Sequence, residues 1–131
     1  MQILEDQMAE NYVTNNLTIV TPDASVTEVY DLMQRTQIRH VPVVEAGKAV
    51  GIISDRDIRF VSYSTNVTQL LASDIMTSEP YSVQLNTPLK EIVTYMSKKK
   101  INSTLIHNSD DKVVGIFTST DALNILADHI K

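Results

Sequence analysis

Cysteine is absent from this chain of 131 residues. Without thiols the protein has no disulfide and no thiolate metal site, and nothing in its composition indicates an oxidising compartment. The three histidines are scattered along the sequence, and they do not have the spacing of a metal site. The sequence therefore predicts that no metal is bound.

Long hydrophobic runs are also missing. The first residues, Met1 to Asp6, contain no basic region followed by an apolar stretch, so they do not resemble a secretion signal. No apolar run approaches the length that spans a membrane. The net charge of −5 argues against non-specific binding to nucleic acid, which needs a basic face. These absences predict a cytoplasmic protein with neither a nucleic-acid nor a membrane partner.

Arginine is missing from the second half of the chain. All four arginines lie between Arg35 and Arg59, whereas the second half carries lysines, chiefly Lys98–Lys100. A guanidinium can grip a phosphate with two hydrogen bonds, and a lysine acts as a point charge. The two halves are therefore expected to differ in chemistry.

The sequence does contain an internal repeat. The segment Gly51–Asp57 recurs 64 positions later as Gly115–Asp121. An apolar stripe with the spacing i, i+3, i+4 and i+7, which is typical of one helix face, also occurs twice. Its members are Val26, Val29, Tyr30 and Met33 in the first half and Leu89, Ile92, Val93 and Met96 in the second. The repeat predicts a duplicated unit that packs against its own copy.

Each half is predicted to have the order β-α-β-β-α. The first three elements should form a right-handed parallel crossover, and the last two strands a hairpin. The fold class is therefore α/β of the α+β type, with two small mixed sheets flanked by helices. The predicted elements are strand 17–20, helix 25–34, strands 41–44 and 49–54 and helix 55–62, and then strand 81–84, helix 88–98, strands 103–107 and 112–118 and a helix ending near 130.

The whole chain, 1–131, is predicted to form one module. Residues 8–62 are the first repeat, 63–75 a linker rich in Ser, Thr and Asn, and 76–131 the second repeat, with a short helical piece expected around Ile3 to Met8. A unit of about sixty residues is marginal by itself. The repeats are therefore expected to pack with pseudo-two-fold symmetry and to leave a cleft. Because the chain starts with Met1 and ends after a helix, nothing in it supports an attached domain, although a piece of a larger enzyme or transporter is an alternative.

Three kinds of motif carry a family resemblance: the two Gly-x-x-(Ser/Thr)-x-x-Asp blocks, the segment Asp74-Ile75-Met76-Thr77, and the segment Arg39-His40-Val41-Pro42-Val43-Val44. With these motifs the chain resembles a tandem pair of cystathionine-β-synthase (CBS) domains, also called a Bateman module. The resemblance covers residues 8–130. The chain departs from the family pattern at Asp6-Gln7-Met8-Ala9, a looser form of residues 74–77, and at 103–106, where Ser-Thr-Leu-Ile replaces His-Val-Pro-Val. The resemblance implies a regulatory module that binds AMP, ADP, ATP or S-adenosylmethionine in its cleft, forms homodimers and signals to a partner protein.

The repeated blocks have residue types that suit a nucleotide. Ser54 and Thr118 are placed where a strand ends and a helix begins, so a hydroxyl and helix amides can meet a phosphate. Asp57 and Asp121 can accept hydrogen bonds from a ribose, and glycine lets a backbone approach closely. The same residues also form capping boxes that would start any helix, and this alternative stays open. With the resemblance, the predicted nucleotide-binding residues are Thr18, Ile19, Val20, Arg39, His40, Val41, Pro42, Ser54, Arg56, Asp57, Tyr81, Ser103, Thr118, Thr120 and Asp121.

Basic residues of the first half are the expected phosphate contacts. In the family, residues at the position of Arg39 and His40 contact phosphates, and Arg56 lies at a helix start. The alternative for such charges is simple exposure to solvent. Asp110 and Asp111 are expected in a hairpin turn, since the rest of a calcium-binding loop is missing.

No catalytic constellation is visible in the sequence. It has no Cys–His pair, no spacing that suggests a Ser-His-Asp triad and no paired carboxylates beside a predicted pocket. The chain is interpreted as a ligand sensor, not an enzyme, with no required cofactor and an adenine nucleotide as ligand. A structural dimerisation module without ligand and an S-adenosylmethionine sensor are the alternatives. A homodimer is expected because Ile58, Val61, Ala122, Ile125 and Leu126 exceed what one small sheet can cover.

Overall fold

The computed structural model describes residues 6–130 and divides the chain into two compact units. One unit, here the central unit, is Thr18–Pro80. The other, the terminal unit, combines the residues up to Leu17 with those from Tyr81 onward. Each unit has a three-stranded sheet with helices, which confirms the predicted mixed α/β class.

The central unit has an antiparallel sheet in the order β1-β2-β3. A valine and methionine stripe on its first helix faces the core, since Val26, Val29 and Met33 are buried. Its elements are α1 (Val26–Thr36), β1 (His40–Glu45), β2 (Lys48–Ser54), α2 (Asp55–Ser62), a 3₁₀ turn (Val67–Gln69), α3 (Ala72–Ile75) and β3 (Thr77–Ser78).

The terminal unit has a mixed sheet in the order β4-β5-β6, with β4 parallel to β5 and β5 antiparallel to β6. The equivalent helix stripe, Leu89, Ile92 and Met96, is buried here too. Its elements are a 3₁₀ turn (Ala9–Tyr12), β4 (Ser82–Gln84), α4 (Leu89–Lys99), β5 (Ser103–His107), β6 (Val113–Thr118) and α5 (Ser119–His129).

Proline explains why the predicted strand 17–20 is reduced to a single bridge, in which Val20 pairs parallel with Val43. In the terminal unit the equivalent strand begins with a bond from the Leu105 N–H to the carbonyl of Tyr81, at 2.9 Å. Pro42 occupies the position equivalent to Leu105 and has no N–H to donate. The predicted parallel direction is confirmed, but the predicted length of the first strand is wrong.

The 3₁₀ turn Ala9–Tyr12 and the short helix α3 have the same capping pattern. This pattern shows which residues of the first repeat correspond to residues 74–77. The side chain of Asn11 accepts a hydrogen bond from the Met8 N–H at 3.0 Å, and that of Asp74 accepts one from the Leu71 N–H at 2.8 Å. Residues 11–14, Asn-Tyr-Val-Thr, therefore correspond to 74–77, and the match of Asp6-Gln7-Met8-Ala9 to that segment is wrong. An amide oxygen accepts this bond as a carboxylate does, so the pattern is kept with Asn.

The segments 9–13 and 77–78 each lie in one predicted repeat but pack in the unit that is formed mainly by the other repeat. Residues 9–13 pack in the terminal unit, where Val13 pairs with Gly115, and β3 pairs with β2 in the central unit. Within the predicted linker, Ala72 is fully buried in the central core. The repeat boundaries 8–62, 63–75 and 76–131 describe the sequence and stay a prediction. Of the helical piece expected around residues 3–8, residues 3–5 lie outside the described residues, Asp6 is helical, and a separate 3₁₀ turn begins at Ala9.

Candidate functional site

Each unit has a corner at which the first strand of its hairpin starts and the second strand ends in a helix. In the central unit, His40 pairs with Ser54 across the β1–β2 ladder. The N–H of Asp55, the first residue of α2, donates to the Arg39 carbonyl at 2.9 Å. We call this the central corner; it consists of Arg39, His40, Ser54, Asp55, Arg56 and Asp57.

The terminal unit repeats this corner with other side chains. Ser103 pairs with Thr118 across the β5–β6 ladder, and the Ser119 N–H donates to the Asn102 carbonyl at 3.0 Å. In addition, the Ser119 hydroxyl lies 3.1 Å from Oδ1 of Asn102. The terminal corner therefore consists of Asn102, Ser103, Thr118, Ser119, Thr120 and Asp121, in the same arrangement as the central corner.

Capping boxes are present at both corners. The Ser54 N–H donates to Oδ2 of Asp57 at 3.0 Å, and the Asp57 N–H donates to the Ser54 hydroxyl at 3.1 Å. The Thr118 N–H and hydroxyl both donate to Oδ2 of Asp121, at 2.8 and 3.1 Å. The capping alternative raised by the sequence is thus present. It does not use up either carboxylate, because each has about four lone-pair positions.

Two arginines of the central corner have side chains that are not held by the protein. Arg39 and Arg56 are exposed, and neither forms an ion pair with any residue in the range 6–130. The neighbouring Arg59 is different, since its guanidinium lies 3.4 Å from Asp55. Arg39 and Arg56 therefore have all their side-chain donors available to an anion.

His40 contributes a neutral imidazole. Burial lowers its pKa below the ordinary value, and the positive charges of Arg39 and Arg56 lower it further against the opposing effect of Asp55 and Asp57. It is therefore uncharged at neutral pH and acts as a hydrogen-bonding group. That His40 contacts a phosphate stays a prediction; the positive charge of this corner comes from the arginines.

The remaining predicted residues of the central unit lie along the first strand and the bridge. The Val20 N–H donates to the Pro42 carbonyl at 3.1 Å, and the Val44 N–H donates to the Val20 carbonyl at 2.8 Å. Val41 and Pro42 are buried, whereas Ile19 is 45% exposed. Among the described residues, the carbonyl of Thr18 has no hydrogen-bond partner.

The side chain of Tyr81 packs against a neighbouring helix. The ring stacks on that of Tyr95 in α4, with centroids 3.7 Å apart, and burial and Glu91 raise its pKa. Its carbonyl is used by the Leu105 N–H. That Tyr81, Ser103, Thr118, Thr120 and Asp121 bind a nucleotide stays a prediction.

The repeated glycines serve the packing of the chain itself. A Cβ on Gly115 would lie against the carbonyl oxygen of Tyr12 and 3.1 Å from the Cα of Val13. A Cβ on Gly51 would lie 2.7 Å from Cγ of Met76. The close approach inferred from sequence is therefore made by other parts of the chain: by the backbone at Tyr12 and Val13 for Gly115, and by the Met76 side chain for Gly51.

Sequence reasoning missed the interaction of Asn102 with Ser119. The repeat could have found it, because Asn102 lies 63 positions after Arg39 and therefore starts the equivalent strand. The turn at Asp110 is confirmed: Asn108 Oδ1 accepts bonds from the N–H groups of Asp110 and Lys112, both at 3.0 Å. A surface groove of about 500 Å³ along α4 contains none of the predicted residues.

Within residues 6–130, no three His, Asp or Glu side chains are grouped so that they could hold a metal ion. In the same range no helix has the length and apolar character needed to cross a membrane.

Comparison with protein families gives a match to the family model described as CBS domain, at residues 9–64 and again at 72–128. The chain is 32% identical over 130 residues to inosine-5'-monophosphate dehydrogenase of Bacillus subtilis, which covers 95% of this chain and 26% of that enzyme. The chain thus spans about a quarter of the length of the curated relatives it matches.

Solved structures share the fold. The CBS domain pair of protein MJ0100, in complex with 5'-methylthioadenosine and S-adenosyl-L-methionine, has a TM-score of 0.85 at 23% identity, covering 95% of this chain and 98% of that one. CBSX2 of Arabidopsis thaliana, in complex with AMP, has a TM-score of 0.77 at 22% identity, covering 92% of this chain and 96% of that one. At this identity the likeness shows the fold alone.

Proposed function

Because the chain belongs to the CBS domain family, as a tandem pair of CBS domains, we propose that it is a regulatory module that binds an adenine nucleotide and signals its occupancy to a partner protein. Support comes from solved structures of the same fold, whose ligands are AMP in one case and S-adenosyl-L-methionine with 5'-methylthioadenosine in another. The candidate ligands are AMP, ADP and ATP.

The central corner carries the proposal. Two exposed arginines without ion pairs, Arg39 and Arg56, lie beside a helix start, where a phosphate is favoured. Asp57, at the same helix start, has lone pairs left over from its cap for the hydroxyl groups of a ribose. If the alternative of simple exposure to solvent were right, replacing either arginine would not change nucleotide binding.

Signalling requires two states of the module that bind the nucleotide with different affinity. A ligand shifts such an equilibrium only by its differential affinity for the two states. In this proposal the nucleotide stabilises the state in which the arginines and the helix start face its phosphate together. The partner protein then binds one state better than the other.

A thermal shift series tests the proposal. The melting temperature is measured with AMP, ADP, ATP and S-adenosylmethionine in separate samples. A ligand that binds only the folded protein, present at 100 times its Kd, stabilises it by about 2.7 kcal/mol, which raises the melting temperature by several degrees. We expect this rise with at least one of the three nucleotides.

The series also separates the alternatives. A rise with S-adenosylmethionine alone would identify a sensor of that ligand instead of a nucleotide sensor. If no ligand gives a rise, the structural dimerisation module becomes the better explanation and the sensor proposal fails.

A homodimer is part of the proposed function. Two of the residues from which the homodimer was expected, Ile58 and Ile125, are buried within the chain, so they do not contribute to a dimer surface. Exposed apolar side chains are present beside them: Phe60 and Tyr63 at the end of α2 are 76% and 90% exposed, Leu123 on α5 is 63% exposed, and Ile130 directly after α5 is 72% exposed. Each of the two helices thus exposes large apolar side chains that a second copy of the chain would cover. Light scattering at micromolar concentration should give twice the chain mass, and a monomer would contradict the proposal.

We propose further that the chain itself is not an enzyme and needs no cofactor, and that it acts in the cytoplasm. The matched dehydrogenases are about four times as long as this chain, so their activity does not pass to it. An assay for dehydrogenase activity with inosine monophosphate should give none.

A further inference from the structure

We propose that the two corners differ in the charge of the ligand they accept: the central corner binds the phosphorylated ligand, and the terminal corner binds no phosphate. This inference rests on the proposed nucleotide-binding function and deepens it. It predicts one nucleotide bound per chain, although the chain contains two copies of the repeated block.

The first argument is charge at equivalent positions. The central corner with Arg59 contains three arginines and two aspartates, a net charge of +1, and His40 is neutral. The equivalent positions of the terminal unit are Asn102, Ser103, Thr118, Ser119, Thr120, Asp121 and Leu123, with a net charge of −1. A phosphate meets attraction at one corner and a lone carboxylate at the other.

The second argument is the use of polar groups. At the terminal corner the Asn102 side chain is engaged with the Ser119 hydroxyl, and the Thr118 hydroxyl donates to Asp121. At the central corner the position of Asn102 is taken by Arg39, which is exposed and has no ion pair among the described residues. The side chains of Asn102 and Thr118 thus have partners within the terminal corner, whereas Arg39 at the central corner presents its donors to a ligand.

The third argument comes from the neighbouring strand. The Tyr81 carbonyl already accepts from the Leu105 N–H, and its ring is stacked on Tyr95. The equivalent Thr18 carbonyl lacks this bond because Pro42 has no N–H. The acceptor beside the central corner is therefore available to a ligand N–H or O–H group.

Lysine near the terminal corner does not replace the arginines. Lys100, two residues before Asn102, ends α4 with a left-handed conformation and follows Lys98 and Lys99 in its last turn. Positive charges at this end of a helix are stabilised by the backbone dipole itself. They also lack the two-pronged geometry with which arginine grips a phosphate.

Calorimetric titration of the whole chain with AMP and with adenosine tests the inference. We expect one AMP per chain. Arg56→Gln should weaken AMP binding by about 10- to 100-fold, since a charge-assisted hydrogen bond is lost, and should change adenosine binding less than about threefold. The control is Arg35→Gln, which removes an exposed arginine of the last turn of α1 and should leave both affinities unchanged.

A gain of binding provides the reciprocal test. Asn102→Arg combined with Thr120→Arg places the central pair of arginines at the terminal corner, and a second AMP per chain should then bind. Two equal AMP sites in the unsubstituted chain, or an Arg56→Gln variant with normal AMP affinity, would overturn the inference while leaving the proposed function intact. If AMP, ADP, ATP and adenosine all fail to bind the unsubstituted chain, the proposed function fails, and the inference fails with it.

Discussion

The two units complete their sheets with different parts of the chain. In the central unit the third strand is β3, which directly follows α3, and the segment before α1 contributes only the bridge at Val20. In the terminal unit the segment before α4 forms β4, and the chain after the first 3₁₀ turn contributes only the bridge at Val13. A duplicated sequence thus gives the same hairpin and helices twice. Single residues such as Pro42 decide which segment forms the third strand of each sheet.

The largest expected difference between the units concerns the two glycines. Gly115→Ala should lower the free energy of unfolding by about 3 kcal/mol, because its Cβ meets the backbone of Tyr12 and Val13. Gly51→Ala should cost about 1 kcal/mol, because its Cβ chiefly meets the flexible end of the Met76 side chain. Urea denaturation of both variants measures the difference. Equal losses would contradict the assigned contacts.

A second comparison concerns a buried hydroxyl. Thr104 in β5 is fully buried and its hydroxyl has no hydrogen-bond partner among residues 6–130, whereas the equivalent residue of β1 is Val41. Thr104→Val keeps the shape and removes the unsatisfied group, so it should stabilise the protein by about 1 kcal/mol. The free energy of unfolding from urea titration checks this. A loss of stability would show that the hydroxyl is satisfied in solution, for example by water.

The caps of the two turn segments should be equivalent. Asn11→Ala and Asp74→Ala each remove one acceptor for a backbone N–H, and each should cost about 1 kcal/mol. The matched control is Asn16→Ala, whose side chain is exposed and caps no turn. Urea midpoints compare the three variants. An Asn11→Ala variant as stable as the control would contradict the match of residues 11–14 to 74–77.

The smallest expected effect is a pH dependence that arises from His40 of the central unit, at the position where the terminal unit has Ser103. His40 has a lowered pKa in the folded protein, so the unfolded chain takes up the proton first as the pH falls. The stability that the neutral side chain provides is present above about pH 6.5 and is lost as the pH drops below that value. His40→Ser, which copies Ser103, should reduce this loss. Melting curves from pH 7.5 to 5.5 compare the two proteins, and identical slopes would contradict the assignment.

Much of the fold could be predicted from sequence because its local signals are strong. The buried stripes of α1 and α4, the N-cap at Ser25 and the hairpin of β5 and β6 are confirmed. These elements depend on periodicity and caps, which a short stretch of sequence contains. The register of the first turn was wrong, because Asn11 replaces an aspartate and the pattern of Asp6 resembled the motif more closely.

The candidate site was predictable in part. The equivalence of Arg39 with Asn102 and of Arg56 with Thr120 follows from the repeat alone. That Tyr81 stacks on Tyr95 required the structure, because the ring of a residue before a strand can turn to either side. The lowered pKa of His40 required it as well, since its burial and the charges of Asp55, Arg56 and Asp57 depend on how the strand that starts at His40 pairs with a later one.

The sequence by itself determined the family, the two hairpins and the placement of all arginines in one half, because these depend on residue types and spacing. Only the tertiary structure decided which segment closes each sheet and what the glycines contact. The physical reason is that these contacts join residues far apart along the chain, such as Tyr12 with Gly115 and Gly51 with Met76. Their geometry depends on backbone hydrogen bonds, which local patterns do not contain.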